Sequence, residues 1–189
     1  MRERGEVDQG RLRRLTSPEL TGTEVLAIRA LLDLAFGPDE DEAFTDSDWL
    51  HSIGGRHFVL DVEGEIVAHA SVVERWLNVD GRPLLTGYVE AVATAVPHQG
   101  LGYGTRVMHD VGSYIAEGFE LGALGTGSHH FYERLGWRRW RGPSSVRMAD
   151  DEQPTPDDDG YIMVLPTASS PDLDLAAPIS CEWRPGDVW

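Results

Sequence analysis

The run Gln99-Gly100-Leu101-Gly102-Tyr103-Gly104 constrains this chain more than any other stretch. It follows an apolar, strand-like segment at 87–96 and precedes one in which Val107, Met108, Val111, Tyr114 and Ile115 recur at helical spacing. A strand that passes through glycines into a helix has to turn tightly, and glycine reaches left-handed angles and allows close backbone approach. The free amides of the first helical turn then favour an anion, above all a phosphate. The run has neither the Lys-Ser/Thr of a nucleotide P-loop nor the spacing of the dinucleotide GxGxxG fingerprint. Taken alone, it specifies a tight turn, either one that holds a phosphate or a purely structural one.

The elements around the turn set the fold class. RLRRL at 11–15 reads as a first strand, and Thr23 reads as the N-cap of a helix carrying Val25, Leu26, Ile28, Leu31, Leu32 and Ala35 on one face. Thr45 opens a second, shorter helix through Trp49, Leu50 and Ile53. From Arg56 the period changes to two, with turns at Glu63-Gly64 and Asp80-Gly81. Strand 87–96 is apolar on both faces apart from Glu90, as a central strand would be. A short strand at 121–127, a short helix at 128–137 and strands near 137–141, 161–166 and the C-terminus complete the pattern. The order predicts an α+β domain with a mixed, mostly antiparallel central sheet flanked by helices. One domain over 1–189 is expected, with 1–10 flexible and 150–189 forming an acidic C-terminal region.

Charge narrows the partners. The chain carries 16 basic against 32 acidic side chains, a formal net charge of −16. Such a surface repels nucleic acid and anionic membranes and attracts cations. Residues 37–48 hold six acids and no base; 150–189 hold ten acids and a single base, Arg184. These segments either keep the protein soluble or line a site for a polycationic small molecule. A single cysteine, Cys181, and no apolar run of membrane-spanning length predict a cytoplasmic protein. The seven histidines show no HxxxH or Cys–His pattern, so no metal site is expected.

With its strand and helix, QGLGYG resembles the Q/R-x-x-G-x-G/A pyrophosphate motif of the GNAT acetyltransferases. F-T-D-S-D-W (44–49), G-Y-V-E (87–90), T-P-D-D-D-G (155–160), V-L-P (164–166) and the terminal W-R-P-G-D-V-W (183–189) are similar to the aminoglycoside 2′-N-acetyltransferases. The similarity runs from about Arg11 to Trp189 and departs from the pattern at 37–43, which is longer and more acidic, and at 125–130, which is shorter, with Gly125 in place of a serine. The resemblance implies the GNAT acyl-CoA N-acyltransferase fold, acetyl-CoA as cosubstrate and a homodimer. It places main-chain amides from Leu101 through Gly102, Tyr103 and Gly104 to Thr105 on the coenzyme pyrophosphate, with Gln99 and Gly100 in the same cofactor-binding motif. Val92 and Thr94 would pair with the pantetheine arm.

Direct transfer from a thioester to an amine needs a base, a stabilised carbonyl oxygen and a proton for the leaving sulfur. It needs no covalent enzyme intermediate, so Cys181 is read as structural. Glu90 is the odd carboxylate in an apolar strand, and either an ion pair to an arginine or a role as general base accounts for it. In the family the glutamate of G-Y-V-E takes the second part. Tyr132 falls where related enzymes place a general acid, with His129 and His130 as nearby alternatives. Asp159, Asp187 and the terminal carboxylate of Trp189 match the family's substrate contacts, joined by Glu90, Asp48 and Asp41 or Glu42. The implied reaction is acetylation of the 2′-amine of an aminoglycoside, conferring resistance. Two other readings stay open: a GNAT enzyme acting on a cell-wall amino sugar or polyamine, and a non-catalytic binder of coenzyme A or cationic drug.

Overall fold

The computed structural model describes residues 10–37 and 43–189. Strand β1 (Arg11–Thr16) leads through a single turn of 3-10 helix to α1 (Gly22–Phe36). That helix starts at Thr21 rather than at the expected Thr23, because only Thr21 has a glutamate three residues on. The Glu24 carboxylate accepts from the Thr21 N–H at 2.8 Å while the Thr21 hydroxyl accepts from the Glu24 N–H at 3.2 Å, a reciprocal cap. Helix α2 (Asp46–Ser52) begins in the same way, from Thr45 and Asp48. Both helices lie on the sheet through Ile28, Leu32 and Trp49, packed with Val59 and Ala93.

Strands β2 (Arg56–Val62), β3 (Glu65–Val79) and β4 (Arg82–Thr94) form an antiparallel meander. β4 begins five residues earlier than the expected 87, because the two-residue turn at Asp80-Gly81 pairs Arg82 with Val79 at once. It ends at Thr94, since Pro97 lies inside a short 3-10 turn at Val96–His98. The Gly-rich turn and α3 (Tyr103–Gly118) come next, then β5 (Leu121–Gly125), a five-residue α4 (His129–Glu133) and β6 (Arg138–Arg139). The acidic C-terminal region contributes more sheet than expected. β7 (Ser144–Arg147) and β8 (Glu152–Pro154) form a small antiparallel pair, β9 (Ile162–Pro166) runs beside β5, and β10 (Ile179–Glu182) pairs with both β3 and β7.

The strand order is β6-β9-β5-β4-β3-β10-β7-β8, with β2 and then β1 added on β3. Among the described strands, only β4–β5 and β7–β10 are parallel, so the sheet is mixed and mostly antiparallel, as expected. β3 is long enough to carry β2 along its first half and β10 at its end.

Two features of β4 shape the space at its C-terminal end. First, it pairs with β5 over only three positions, Thr86↔Leu121, Gly87↔Gly122 and Tyr88↔Ala123, after which the strands part. Helix α3 crosses this short junction. A Cβ on Gly87 would lie 2.9 Å from Ile115 and 3.1 Å from Phe119, and one on Gly122 would lie 3.0 Å from Leu165 and 3.2 Å from Ile115. The facing glycines therefore let the helix press onto the point where the strands begin to diverge. Second, the β3–β4 register slips between His69↔Ala93 and Ser71↔Glu90, leaving Ala91 and Val92 opposite Ala70 alone. This is a bulge, and Ala91 takes a φ of +52° in it. A non-glycine residue in that region costs about 1–3 kcal/mol, which the surroundings must offset.

Candidate active site

The Gly-rich turn sits at the mouth of the divergence. Gly100 and Gly102 have φ of +75° and +91°, and a Cβ on either would meet no atom within 4 Å. Gly102 is the N-cap of α3, so no side chain caps the first turn. The open turn therefore lies at the positive end of a 16-residue helix. Gln99 folds back, its amide donating to the Thr94 carbonyl at 3.2 Å. Thr94 closes the other side, with its hydroxyl 2.8 Å from where a Gly104 Cβ would be. The Tyr103 side chain is buried in the core, so only its main chain belongs to the cradle; Thr105 lies in the same first turn and Leu101 at the exposed tip. Val92, the second residue of the bulge, packs against the α3 side of the core.

Glu90 lies immediately before the bulge residue. Its carboxylate takes a 2.5 Å bond from Arg184 Nη1. Burial raises its pKa above the ordinary carboxylate value, and the Arg184 charge opposes that rise without cancelling it. The lone base of the acidic tail is thus committed to the lone acid of the central strand. Arg184 also donates from Nε to the Asp187 carbonyl at 2.7 Å and from Nη2 to the Trp189 main-chain oxygen at 3.4 Å. Tyr88, two residues before Glu90, is buried under two guanidinium groups, Arg75 at 4.6 Å and Arg184 at 5.5 Å from its ring centre. Its hydroxyl has no hydrogen-bond partner among the described residues.

From this knot a cleft of about 360 Å³ opens beyond the end of β5, lined by Gly125, Thr126, Asp157, Asp158, Asp187 and Trp189, with Tyr161 at its side. Trp189 is buried, its indole N–H held by the Thr155 hydroxyl at 2.9 Å, and its main-chain N–H reaches Asp187 Oδ1 at 3.2 Å. Asp158 is half-buried, and its pKa is raised first by that burial and then by the charge of Asp187.

A profile of the GNAT acetyltransferase domain matches residues 18–140. An aminoglycoside 2′-N-acetyltransferase of Mycolicibacterium fortuitum is 40% identical over 150 residues, 77% of each chain. The chain is a GNAT acetyltransferase, of the same family as that enzyme. Solved structures agree on the fold. A GNAT N-acetyltransferase from Escherichia coli, crystallised with CoA, superposes with a TM-score of 0.62 at 16% identity, over 93% of this chain and 89% of that one. A Brucella melitensis family member solved with acetyl-CoA gives 0.57 at 15% identity, over 87% and 92%.

In this GNAT enzyme the other expected residues take varied places. Tyr132 on α4 is buried against Phe131 and Trp137, and burial raises its pKa well above the usual phenol value. Its hydroxyl makes no hydrogen bond among the described residues, so it holds its proton uncommitted. Asp187 and Trp189 reach the cleft together. Asp159 points instead at the sheet, where its Oδ1 accepts from the Ser144 N–H and hydroxyl, both at 2.8 Å, and its neighbour Asp158 lines the cleft. Asp48 gives its Oδ2 to the cap of α2. Asp41 and Glu42 lie outside the described residues. Cys181 is fully buried with its thiol pushed up to about 11, fit for packing and not for attack. Sequence reasoning missed Arg184, Asp158 and Tyr88. Arg184 had a signal, as the one base among ten acids after residue 149; the side on which each of three consecutive aspartates falls had none.

Proposed function

We propose that this enzyme transfers the acetyl group of acetyl-CoA to the 2′-amine of an aminoglycoside. The observation that carries the reading is the acidic cleft ending at Trp189, joined through Arg184 to a buried glutamate beside the parting of β4 and β5. Burial, and after it the charge of Asp187, raises the Asp158 pKa, and an ionised carboxylate there costs stability unless a cation binds beside it. A rigid polyamine suits such a cleft, and the M. fortuitum relative bears an aminoglycoside acetyltransferase's name.

The cradle of Gly100, Gly102 and the α3 amides fits a diphosphate, and acetyl-CoA bound there supplies an activated thioester. Glu90 takes the proton of the attacking amine as the new C–N bond forms. Tyr132, kept protonated by burial, gives its proton to the sulfur as the C–S bond breaks. The amide product has lost a positive charge, and with it part of the hold of the cleft. That loss is the chemical basis of a resistance role.

A thiol-release assay with acetyl-CoA and a 2′-amino aminoglycoside tests the reading. Saturable CoA formation is expected, and Glu90→Gln should lower kcat by about 10²–10⁴-fold with little change in coenzyme affinity. No CoA release under saturation would leave a binding protein. A kcat/KM orders of magnitude higher for a cell-wall amino sugar would assign another acceptor.

A further inference from the structure

Two histidines that this chemistry leaves idle lie buried in the sheet behind Glu90. His57 on β2 and His69 on β3 are both fully buried. His69 Nδ1 stands 2.7 Å from the Ala91 carbonyl oxygen, which can only accept, so His69 carries its proton there. Its Nε2 then accepts from His57 Nδ1 at 3.0 Å, and His57 Nε2 accepts from the Ser17 hydroxyl at 2.9 Å. The Ser17 oxygen in turn takes the Gly54 N–H at 2.9 Å. Every member donates once and accepts once, so the tautomers are fixed and the chain runs one way, toward Ala91.

Its end point is the bulge residue with φ of +52°, next to the base. Bulging removes ladder partners, and a buried carbonyl without a donor is costly. His69 supplies that donor from the neighbouring strand. Ser71 adds a weaker hold one residue away, its hydroxyl 3.3 Å from the Glu90 carbonyl. We propose that His69 is a positioning residue for acetyl transfer: by gripping the Ala91 carbonyl it locks the β4 bulge in the geometry that aims the Glu90 carboxylate at Arg184 and the cleft. This rests on the reading of Glu90 as the base. His57 and Ser17 orient the His69 ring, and burial holds the pair neutral, with values lowered to about 4 and about 3.

The test exploits side-chain reach. Asparagine sets an amide N–H near the Nδ1 position and glutamine sets one near Nε2, so His69→Asn keeps the grip on Ala91 and His69→Gln forfeits it. Ala91→Gly removes the strain of the left-handed conformation, letting the bulge form without a clamp. With acetyl-CoA and a 2′-amino aminoglycoside, His69→Asn should stay within about threefold of the native kcat, while His69→Gln falls about tenfold or more, the scale of a small misplacement of a reacting group. Adding Ala91→Gly to His69→Gln should restore most of the loss, although glycine alone changes kcat by less than about twofold. Equal turnover in the asparagine and glutamine variants, or no rescue by glycine, overturns the proposal. A glutamine variant soluble only in the presence of Ala91→Gly supports it; one insoluble with and without that change counts against it. Native turnover in Glu90→Gln would sink the base itself, a result distinct from failure of the His69 cycle.

Discussion

The buried imidazole pair predicts a steep loss of stability in mild acid. In the unfolded chain both rings titrate near the ordinary value of 6.5, whereas in the fold burial holds His57 near 4 and His69 near 3. Both native values lie below the unfolded one. Between pH 6.5 and pH 4 the unfolded chain therefore binds protons that the folded chain refuses, and stability falls as the pH falls. Near pH 5 the difference approaches two protons, a slope of about 2–3 kcal/mol per pH unit. Integrated down to pH 4 it reaches about 6 kcal/mol, comparable with the whole stability of an ordinary domain. The assay is urea denaturation at a series of pH values, run on the native protein and on His57→Gln/His69→Asn. The double variant has neither group, so the difference between the two slopes isolates the pair. A difference near pH 5 of less than about 0.5 kcal/mol per pH unit would refute this linkage. So would a direct NMR titration showing either ring protonating at pH 6 in the folded state.

Tyr132→Phe, which removes only the hydroxyl proposed as the acid and keeps the ring packed against Phe131, should lower kcat about 10-fold or more while thermal stability changes little; unchanged turnover would exclude it as the acid. Asp158→Asn should raise KM for a polycationic acceptor several-fold and, by removing a half-buried charge and its repulsion from Asp187, slightly raise the melting temperature; a fall in both would show a purely structural role. Arg184→Gln should cost about 3–5 kcal/mol of stability, since it strands a buried carboxylate and releases the Asp187 and Trp189 main chain, as chemical denaturation can measure. Gly122→Val should destabilise by about 1–3 kcal/mol or more through contact with Leu165 and Ile115, a change read as a lower denaturation midpoint.

The sequence announces part of this fold and conceals the rest for physical reasons. Hairpins with Glu63-Gly64 and Asp80-Gly81 turns, the Thr45 cap and the Gly-rich entry to α3 are local devices, and local devices leave local patterns. The start of α1 lies two residues before the expected cap because threonine occurs at both 21 and 23, and only the position of Glu24 decides between them. Strands β7 and β8 carry no alternating apolar pattern, being short, polar and held in place by β10 and Asp159. The same holds for the site. Glu90 stands out as a charge in an apolar strand, but its partner lies 94 residues away and no periodicity links the two. The bulge at Ala91 leaves no mark in composition, because its glycine-like angle is imposed by neighbours from other strands.

The brief contact between β4 and β5 has an evolutionary corollary. Where two neighbouring strands share three rungs and then separate, a row of peptide groups is left facing a gap, and an extended molecule can dock there as a further strand would. Peptide groups are the same whatever side chain a residue carries, so a face that would receive the donor in the proposed reaction is indifferent to most substitutions along it. In the proposed reaction the acceptor, by contrast, would meet side-chain carboxylates, those of Asp157, Asp158 and Asp187. One half of such a catalyst can drift from amine to amine while the other half stays fixed.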